Sequence, residues 1–182
     1  MTLLEMKKKV LQLIEEIDDS EELTNDPDIA AKLHSIINQV QFELARMKKI
    51  PANATVELKA NELFDLCTLD DFYQLMTLRA KTDDAECEMF NNTILASNDC
   101  TVLVFYYKYP TAITDDTTDD YKFELSRDAL EIMPYGVAAD LLKSDVSTNY
   151  GAVYSQRYET MLQRLDPRYS MGNIAFEGGV SI

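Results

Sequence analysis

The sequence contains no tryptophan, one histidine, three cysteines and five glycines. His34 has no second histidine with which to form a metal site, so we interpret it as a structural residue. Cys67, Cys87 and Cys100 are odd in number and lack metal-ligand spacing, which favours a reducing compartment over a disulfide framework. We expect each cysteine to be a small buried hydrophobic residue.

The common catalytic motifs are absent as well. The chain has no glycine-rich loop with a Walker lysine, no dinucleotide fingerprint, no nucleophile elbow and no metalloprotease helix. Carboxylates are abundant, but no pair is distinguished from the others, so a carboxylate-dependent hydrolase stays an alternative without assigned residues. We therefore assign no catalytic residue, no metal ligand and no cofactor.

Basic residues are scarce. The chain has 17 lysines and arginines against 32 aspartates and glutamates, which gives a net charge of -15. Such a surface repels a phosphate backbone and does not favour wrapping of nucleic acid. Two interpretations stay open: the charge serves solubility, or it lines a surface that DNA passes without adhering.

Long apolar runs are missing too. No stretch approaches the ~20 residues that a membrane-spanning helix needs. The first residues carry Lys7-Lys8-Lys9 within an amphipathic pattern and have no signal-peptide apolar region. We expect a soluble protein that is not secreted by a cleaved leader and does not bind a membrane.

Helical periodicity marks the beginning of the chain. Thr2 and Glu5 predict a capping box for a first helix, and Asp26-Pro27 predicts the start of a second helix that ends before Pro51. The acid-rich range 15–28 between them is interpreted as a solvated loop. The predicted buried positions are Leu3, Met6, Val10, Leu13, Ile14 and Ile17 in the first helix, and Ile29, Leu33, Ile36, Ile37, Val40, Leu44 and Met47 in the second.

A second pair of helices is predicted from Ser126 to Leu165. Pro134 suits the first turn of one helix, and Ser147 or Thr148 can cap the other. A short loop between them implies antiparallel packing, which the small residues Gly136, Ala138 and Ala139 allow at close range. The predicted apolar face of the last helix consists of Tyr150, Val153, Tyr154, Tyr158, Met161, Leu162 and Leu165. Within it, Tyr150, Tyr154 and Tyr158 form a stripe that favours a core or inter-subunit contact over a ligand cage.

Strand patterns fill the middle of the chain. Thr101 to Tyr109 alternates along its length, is apolar on both sides, and is predicted to be a central strand. Phe72 to Ala80 fits a strand or a helix, and ranges 86–90 and 93–96 fit short strands. Thr114 to Asp120 is predicted to be a polar hairpin loop with weak affinity for cations, after which Tyr121 to Leu125 pairs back as a strand.

The predicted fold class is α+β: a bundle of about four helices with an antiparallel β insertion and an extended C-terminal tail. The helical bundle takes residues 1–51 and 126–166, the β insertion takes 52–125, and the tail takes 167–182. In the tail, Ile174 and Phe176 alternate with polar or small residues, and Val180 follows. The tail is either frayed or adds as a strand to a neighbouring sheet.

The order of these parts resembles the head–tail connector (adaptor) proteins of tailed bacteriophages. The resemblance rests on a strand that ends Tyr106-Tyr107-Lys108-Tyr109-Pro110, on the stretch Leu130-Glu131-Ile132-Met133-Pro134-Tyr135-Gly136-Val137-Ala138-Ala139, and on Asp140-Leu141-Leu142 before a tyrosine-rich last helix. It covers most of the chain. The acidic start, the loop Asp115 to Asp120 and the long β insertion are additions that short members of the family lack.

The resemblance implies a virion structural protein in the neck, present in the host cytoplasm during assembly. Such proteins form a ring, commonly of twelve copies, beneath the portal, and leave a channel through which DNA passes without specific binding. Neck or tail proteins bind below. The C-terminal tail reaches the portal, which would make Ile174, Phe176 and Val180 its anchors. The alternatives are a tail-completion or terminator protein, the hydrolase named above, and a cytoplasmic helical interaction module.

Overall fold

A computed structural model describes residues 1–14, 27–81, 86–144 and 149–165. Four helices and two antiparallel sheets make up the described part, which confirms the predicted α+β class. The helices are α1 (Leu3–Leu13), α2 (Pro27–Lys48), α3 (Arg127–Leu141) and α4 (Tyr150–Arg164). The strands are β1 (Ile50–Leu58), β2 (Leu63–Asp65), β3 (Phe72–Ala80), β4 (Cys87–Phe90), β5 (Thr93–Ala96) and β6 (Cys100–Lys108).

The first two helices begin and end close to where their sequence signals place them. The predicted capping box at α1 is confirmed: Glu5 N donates to Thr2 Oγ1 at 3.2 Å, and Thr2 N donates to Glu5 Oε2 at 2.9 Å. α2 ends at Lys48, before Pro51, as predicted. The predicted cap Asp26, the core position Ile17 and most of the acidic range 15–28 lie outside the described residues.

Helix α3 is the centre of the helical part, since α1, α2 and α4 all pack against it. Nine of its fifteen residues are buried, and this burial against the other helices stabilises the helix. The prediction that Pro134 lies in the first turn is wrong, because α3 already begins at Arg127 and Pro134 lies inside it. Ala129, Leu130, Ile132 and Met133 are buried ahead of the proline, and this burial offsets the backbone hydrogen bond that proline cannot make.

Helices α3 and α4 run antiparallel, as predicted. The end of α3 lies beside the start of α4, since Leu142 O would be 2.9 Å from a Cβ added at Gly151. One turn further along α4 and two turns back along α3, the rings of Tyr135 and Tyr154 lie 6.4 Å apart. The predicted cap was wrong: Asn149 occupies the position before α4, and Ser147 and Thr148 lie outside the described residues.

The six strands form two three-stranded antiparallel sheets, with strand orders β1-β6-β3 and β2-β5-β4. β6 is therefore central, as its alternating sequence predicts, and the strand interpretation of Phe72 to Ala80 is confirmed by β3. Only one face of β6 is fully buried. Leu103, Phe105 and Tyr107 on its other face stay half-exposed.

Buried side chains form two hydrophobic clusters, one among the helices and one between the sheets. In the sheet cluster, Ile94 and Ala96 of β5 are buried with Val102 and Val104 of β6. The helical cluster takes in Ile113, Phe123 and Leu125 from the segment that precedes α3. No helix among the residues described is long and apolar enough to span a membrane.

The prediction that Tyr121 to Leu125 pairs back as a strand is wrong. Only a single bridge forms there, between Thr2 and Lys122, so Thr114 to Asp120 does not connect two paired strands. Phe123 and Leu125 alternate because both side chains enter the helical core, while the backbone between them stays irregular. The segment is attached to the chain start, since Leu3 N donates to Tyr121 O at 2.9 Å.

Candidate interaction surfaces

The structure places the three tyrosines of the α4 stripe in three different environments. Tyr158 is 8% exposed and belongs to the helical core, where its hydroxyl donates to Glu43 Oε2 at 2.8 Å. Burial, together with the hydrogen bond to Glu43 and its charge, raises the pKa of Tyr158 far above its ordinary value. Tyr154 is half-buried and donates to Leu13 O at 2.6 Å, which attaches α4 to the end of α1. Tyr150 is 53% exposed.

Close packing against α3 determines the position of Tyr158. A Cβ added to Gly136 would lie 2.8 Å from Tyr158 Cε2, so glycine is the residue that lets this ring reach the core. The sequence predicted a close approach of the two backbones at Gly136, whereas the structure places the ring of Tyr158 against this glycine. The contact connects α2, α3 and α4, because the same ring touches Gly136 and its hydroxyl reaches Glu43 on α2.

The outer surface of α4 is exposed and carries positive charge. Val153, predicted to be buried, is 55% exposed and shares this surface with Tyr150, Arg157 and Arg164. The periodic pattern overestimated the buried face because α4 packs mainly against one neighbour, α3. The guanidinium of Arg157 also lies over the ring of Tyr135, 4.3 Å from its centroid. We call Tyr150, Val153, Arg157 and Arg164 the α4 face.

A second exposed apolar surface lies on the small sheet. Successive side chains of a strand point to opposite faces, so burial of Ile94 places Leu63, Leu95 and Phe90 on the outward side. Leu63 is 67% and Phe90 is 55% exposed. Asp65 and Glu88 share the outward side and are exposed. We call Leu63, Asp65, Glu88, Phe90 and Leu95 the β face.

One ion pair and one histidine contact attach acidic residues of the segment 114–120 to the helices. Lys7 Nζ lies 2.8 Å from Asp119 Oδ1, and His34 Nδ1 lies 3.2 Å from Asp115 Oδ1. His34 is half-buried and contacts this segment, and its interpretation as a structural residue stays a prediction. In the ranges that the structure describes, no group of three or more histidine, cysteine, aspartate or glutamate side chains is arranged to hold a metal ion.

The three cysteines differ in exposure. Cys67 is exposed, so the prediction of a buried hydrophobic residue is wrong there, because its short 3-10 helix directs only Leu66 into the core. Cys100 is buried and Cys87 half-buried, and their sulfur atoms lie 3.8 Å apart as free thiols. Burial and the neighbouring Cys100 raise the pKa of Cys87 to about 11, which disfavours the reactive thiolate.

A network around Asn38 was not predicted from the sequence. Asn38 Nδ2 donates to Ile113 O at 2.7 Å and Asn38 Oδ1 accepts from Ile113 N at 2.7 Å, so the amide pairs with both backbone groups of one residue. Gln41 is fully buried beside it and donates to Asn38 Oδ1 at 2.8 Å and Thr111 O at 3.1 Å. No local sequence signal exists for the contacts to Ile113 and Thr111, since these partners lie 75 and 70 positions away from Asn38 and Gln41.

Aromatic residues join α2 to the larger sheet. The ring of Tyr109 lies 5.7 Å from that of Phe42 on α2 and 4.9 Å from that of Tyr73 on β3. Lys49, the residue between α2 and β1, lies 4.8 Å from the ring centroid of Tyr107. On the opposite face of β6, the hydroxyl of buried Tyr106 donates to Asp71 Oδ1 at 2.8 Å.

Alkaline pH is expected to weaken the fold through Tyr106. Burial, the hydrogen bond to Asp71 and its charge raise the pKa of Tyr106 to about 12. The folded state therefore holds the phenol proton more tightly than the unfolded state, and stability is lost as pH rises from about 10 through about 12. In urea unfolding measured between these pH values, the free energy of unfolding of Tyr106→Phe should fall less steeply with pH than that of the wild type. A Tyr106→Phe slope equal to that of the wild type would contradict this assignment.

The predicted anchors Ile174, Phe176 and Val180 lie outside the described residues, as does the whole range 167–182. No protein-family model matches the chain, and no curated protein sequence matches it.

Proposed function

We propose that the protein is a structural subunit of the head–tail connector type, which forms a ring beneath a portal and joins a capsid to a tail around a DNA channel. The α3–α4 hairpin supports this proposal most directly. The stretch that carries the resemblance, Leu130 to Ala139, lies at the centre of the helical part, and Gly136 packs there against Tyr158. That stretch therefore contributes to the packing of the helices, and a connector depends on such packing to keep its shape.

The charge of the chain supports the same proposal. A net charge of -15 suits a wall along which DNA slides, because a phosphate backbone gains nothing by adhering to it. Lys7 of α1 pairs with Asp119 of the acidic segment 114–120, and His34 of α2 contacts Asp115, so both helices hold the segment that carries the other carboxylates. Asp116 and Asp120 on this segment are exposed.

A protein inventory of purified virions tests the proposal. The chain should be present in intact particles in the number of copies that one ring holds, about twelve, which is far fewer than the major capsid protein, and density for it should lie between the capsid vertex and the tail. A terminator protein would instead lie at the end of the tail tube. Absence from particles that carry their tails would end the connector proposal.

The C-terminal tail gives a second test. Deletion of residues 170–182 should abolish binding to the portal, because Ile174, Phe176 and Val180 are the proposed anchors, and should leave the circular dichroism spectrum of the helices unchanged. The triple variant Ile174→Ser, Phe176→Ser and Val180→Ser should behave like the deletion. The matched control, Asn173→Ala with Glu177→Ala, should bind like the wild type in a pull-down with the portal. Unchanged binding of the deletion would rule out the anchor role.

A further inference from the structure

We propose that the α4 face of one copy binds the β face of a neighbouring copy, head to tail. The inference deepens the proposed connector function, on which it rests for the expectation that copies assemble. Among the described residues, the exposed large hydrophobic side chains are few, and four of the six belong to these two faces: Leu63, Phe90, Tyr150 and Val153. Exposed apolar side chains of this kind mark contact surfaces when they are grouped with polar residues around them.

Charge determines which surfaces can meet. The α4 face carries Arg157 and Arg164, whereas the β face carries Asp65 and Glu88, and all four side chains are exposed. These two arginines are exposed in a chain whose net charge is -15. Because opposite charges lie beside apolar groups on the two faces, each face has in the other a complementary partner.

The same charges exclude symmetric pairing. Two α4 faces in contact would bring arginines together, and two β faces would bring carboxylates together, and like charges that meet in an interface cost several kcal/mol. Contact between two different faces of the same chain is heterologous, so each copy that binds one neighbour still has a face for the next. A second copy is therefore the occupant that accounts for both faces at once.

Two variants that each disable one face test this arrangement. Arg157→Glu with Arg164→Glu disables the α4 face, and Leu63→Ser with Phe90→Ser disables the β face. Each variant alone should self-associate about tenfold or more weakly than the wild type in sedimentation velocity runs on the full chain. An equimolar mixture should form a one-to-one dimer and stop there, because only one intact α4 face and one intact β face are present.

The matched control places the same charge change on another helix. Lys32→Glu with Arg46→Glu alters two exposed residues of α2 and should self-associate like the wild type. Circular dichroism melting of every variant checks that the fold is kept. A wild-type chain that stays monomeric at high concentration, a mixture without the dimer, or a control that dissociates as much as the α4 variant would each overturn the proposal.

Cross-linking gives a readout that does not depend on disrupting the contact. Exposed Cys67 follows Asp65 of the β face by two residues, and Gln156 is exposed on α4. Gln156→Cys should yield inter-copy cross-links to Cys67 with a short bismaleimide, and Cys67→Ser should abolish them. Ser35→Cys on α2 should give none. Association without the Cys67-dependent cross-link would place the contact elsewhere and contradict the proposal.

The outcomes separate this contact from the connector function. A chain found in virion necks whose copies do not bind through these faces keeps the function and loses the contact. A chain that forms the head-to-tail dimer in the mixture but is missing from tailed particles keeps the contact and loses the function.

Discussion

Replacement of Asn38 by alanine is expected to lower the free energy of unfolding by about 3 kcal/mol, because two buried backbone groups lose their partner at once. Asn38 satisfies both the N–H and the C=O of Ile113 at 2.7 Å, and Ile113 is 3% exposed. An unsatisfied buried polar group costs about 1–3 kcal/mol. The cost of leaving both groups of Ile113 unsatisfied therefore exceeds the effect of an ordinary surface substitution on the free energy of unfolding. Urea unfolding followed by circular dichroism measures the change.

The matched control for this prediction is the next residue along the helix. Gln39 is exposed, and its amide is 3.4 Å from Asp140 Oδ2, so Gln39→Ala should change the free energy of unfolding by less than about 0.5 kcal/mol. Hydrogen exchange locates the effect: in Asn38→Ala the amide of Ile113 should exchange faster than in the wild type. Equal stability of the Asn38 and Gln39 variants would show that the paired amide contributes nothing to the attachment of this segment.

Gly136→Val is the second large effect that we expect, a loss of about 2–3 kcal/mol from overpacking between α3 and α4. Even a single Cβ at position 136 would lie 2.8 Å from the ring of Tyr158, and that ring is held in the core by its hydrogen bond to Glu43. Gly136→Ala should cost less, since alanine favours a helix over glycine by about 1 kcal/mol. Thermal and urea unfolding of both variants measure which of the two loses more stability.

A double-mutant cycle tests the cause of that loss. In the Tyr158→Ala background the space beside position 136 is open, so addition of Gly136→Val should cost little or restore some stability. Ala152→Val adds methyl groups at an exposed position of α4 and should change stability by about 0.5 kcal/mol or less. If Gly136→Val costs as much with Tyr158 absent as with it present, the clash with the ring is not the cause.

Where the buried residues of a helix or strand repeat at regular spacing along the sequence, that element was predicted correctly. β6 alternates over nine residues and was located correctly as the central strand, and the capping box fixed the start of α1. Pro134 misled the prediction for α3, because a proline signals a helix start locally but is tolerated deeper in a helix whose other residues are buried. The alternation of Phe123 and Leu125 wrongly predicted a strand. Two side chains that both enter the helical core have the same two-residue spacing as the buried face of a strand.

Long-range contacts could not be predicted from the sequence. Asn38 and Gln41 look like ordinary polar helix residues, and no local pattern predicts the backbone partners that Ile113 and Thr111 give them. The exposed half of α4 could not be predicted either, because tyrosine and valine at helical spacing do not reveal how many neighbours the helix has. The β face depends on which side of a short sheet meets the core, and three- or four-residue strands carry too little pattern to decide it.

The short connection between α2 and β1 has a mechanical consequence. Lys49 is the single residue between the two elements, and the rings of Phe42, Tyr109 and Tyr73 bridge the same corner. A sheet joined in this way cannot rotate freely relative to α2. A force applied to the outer strands is therefore transmitted to α2 and from there to the other helices. In the connector that we propose, stiffness of this kind would let each subunit keep its shape while a genome under pressure moves past it.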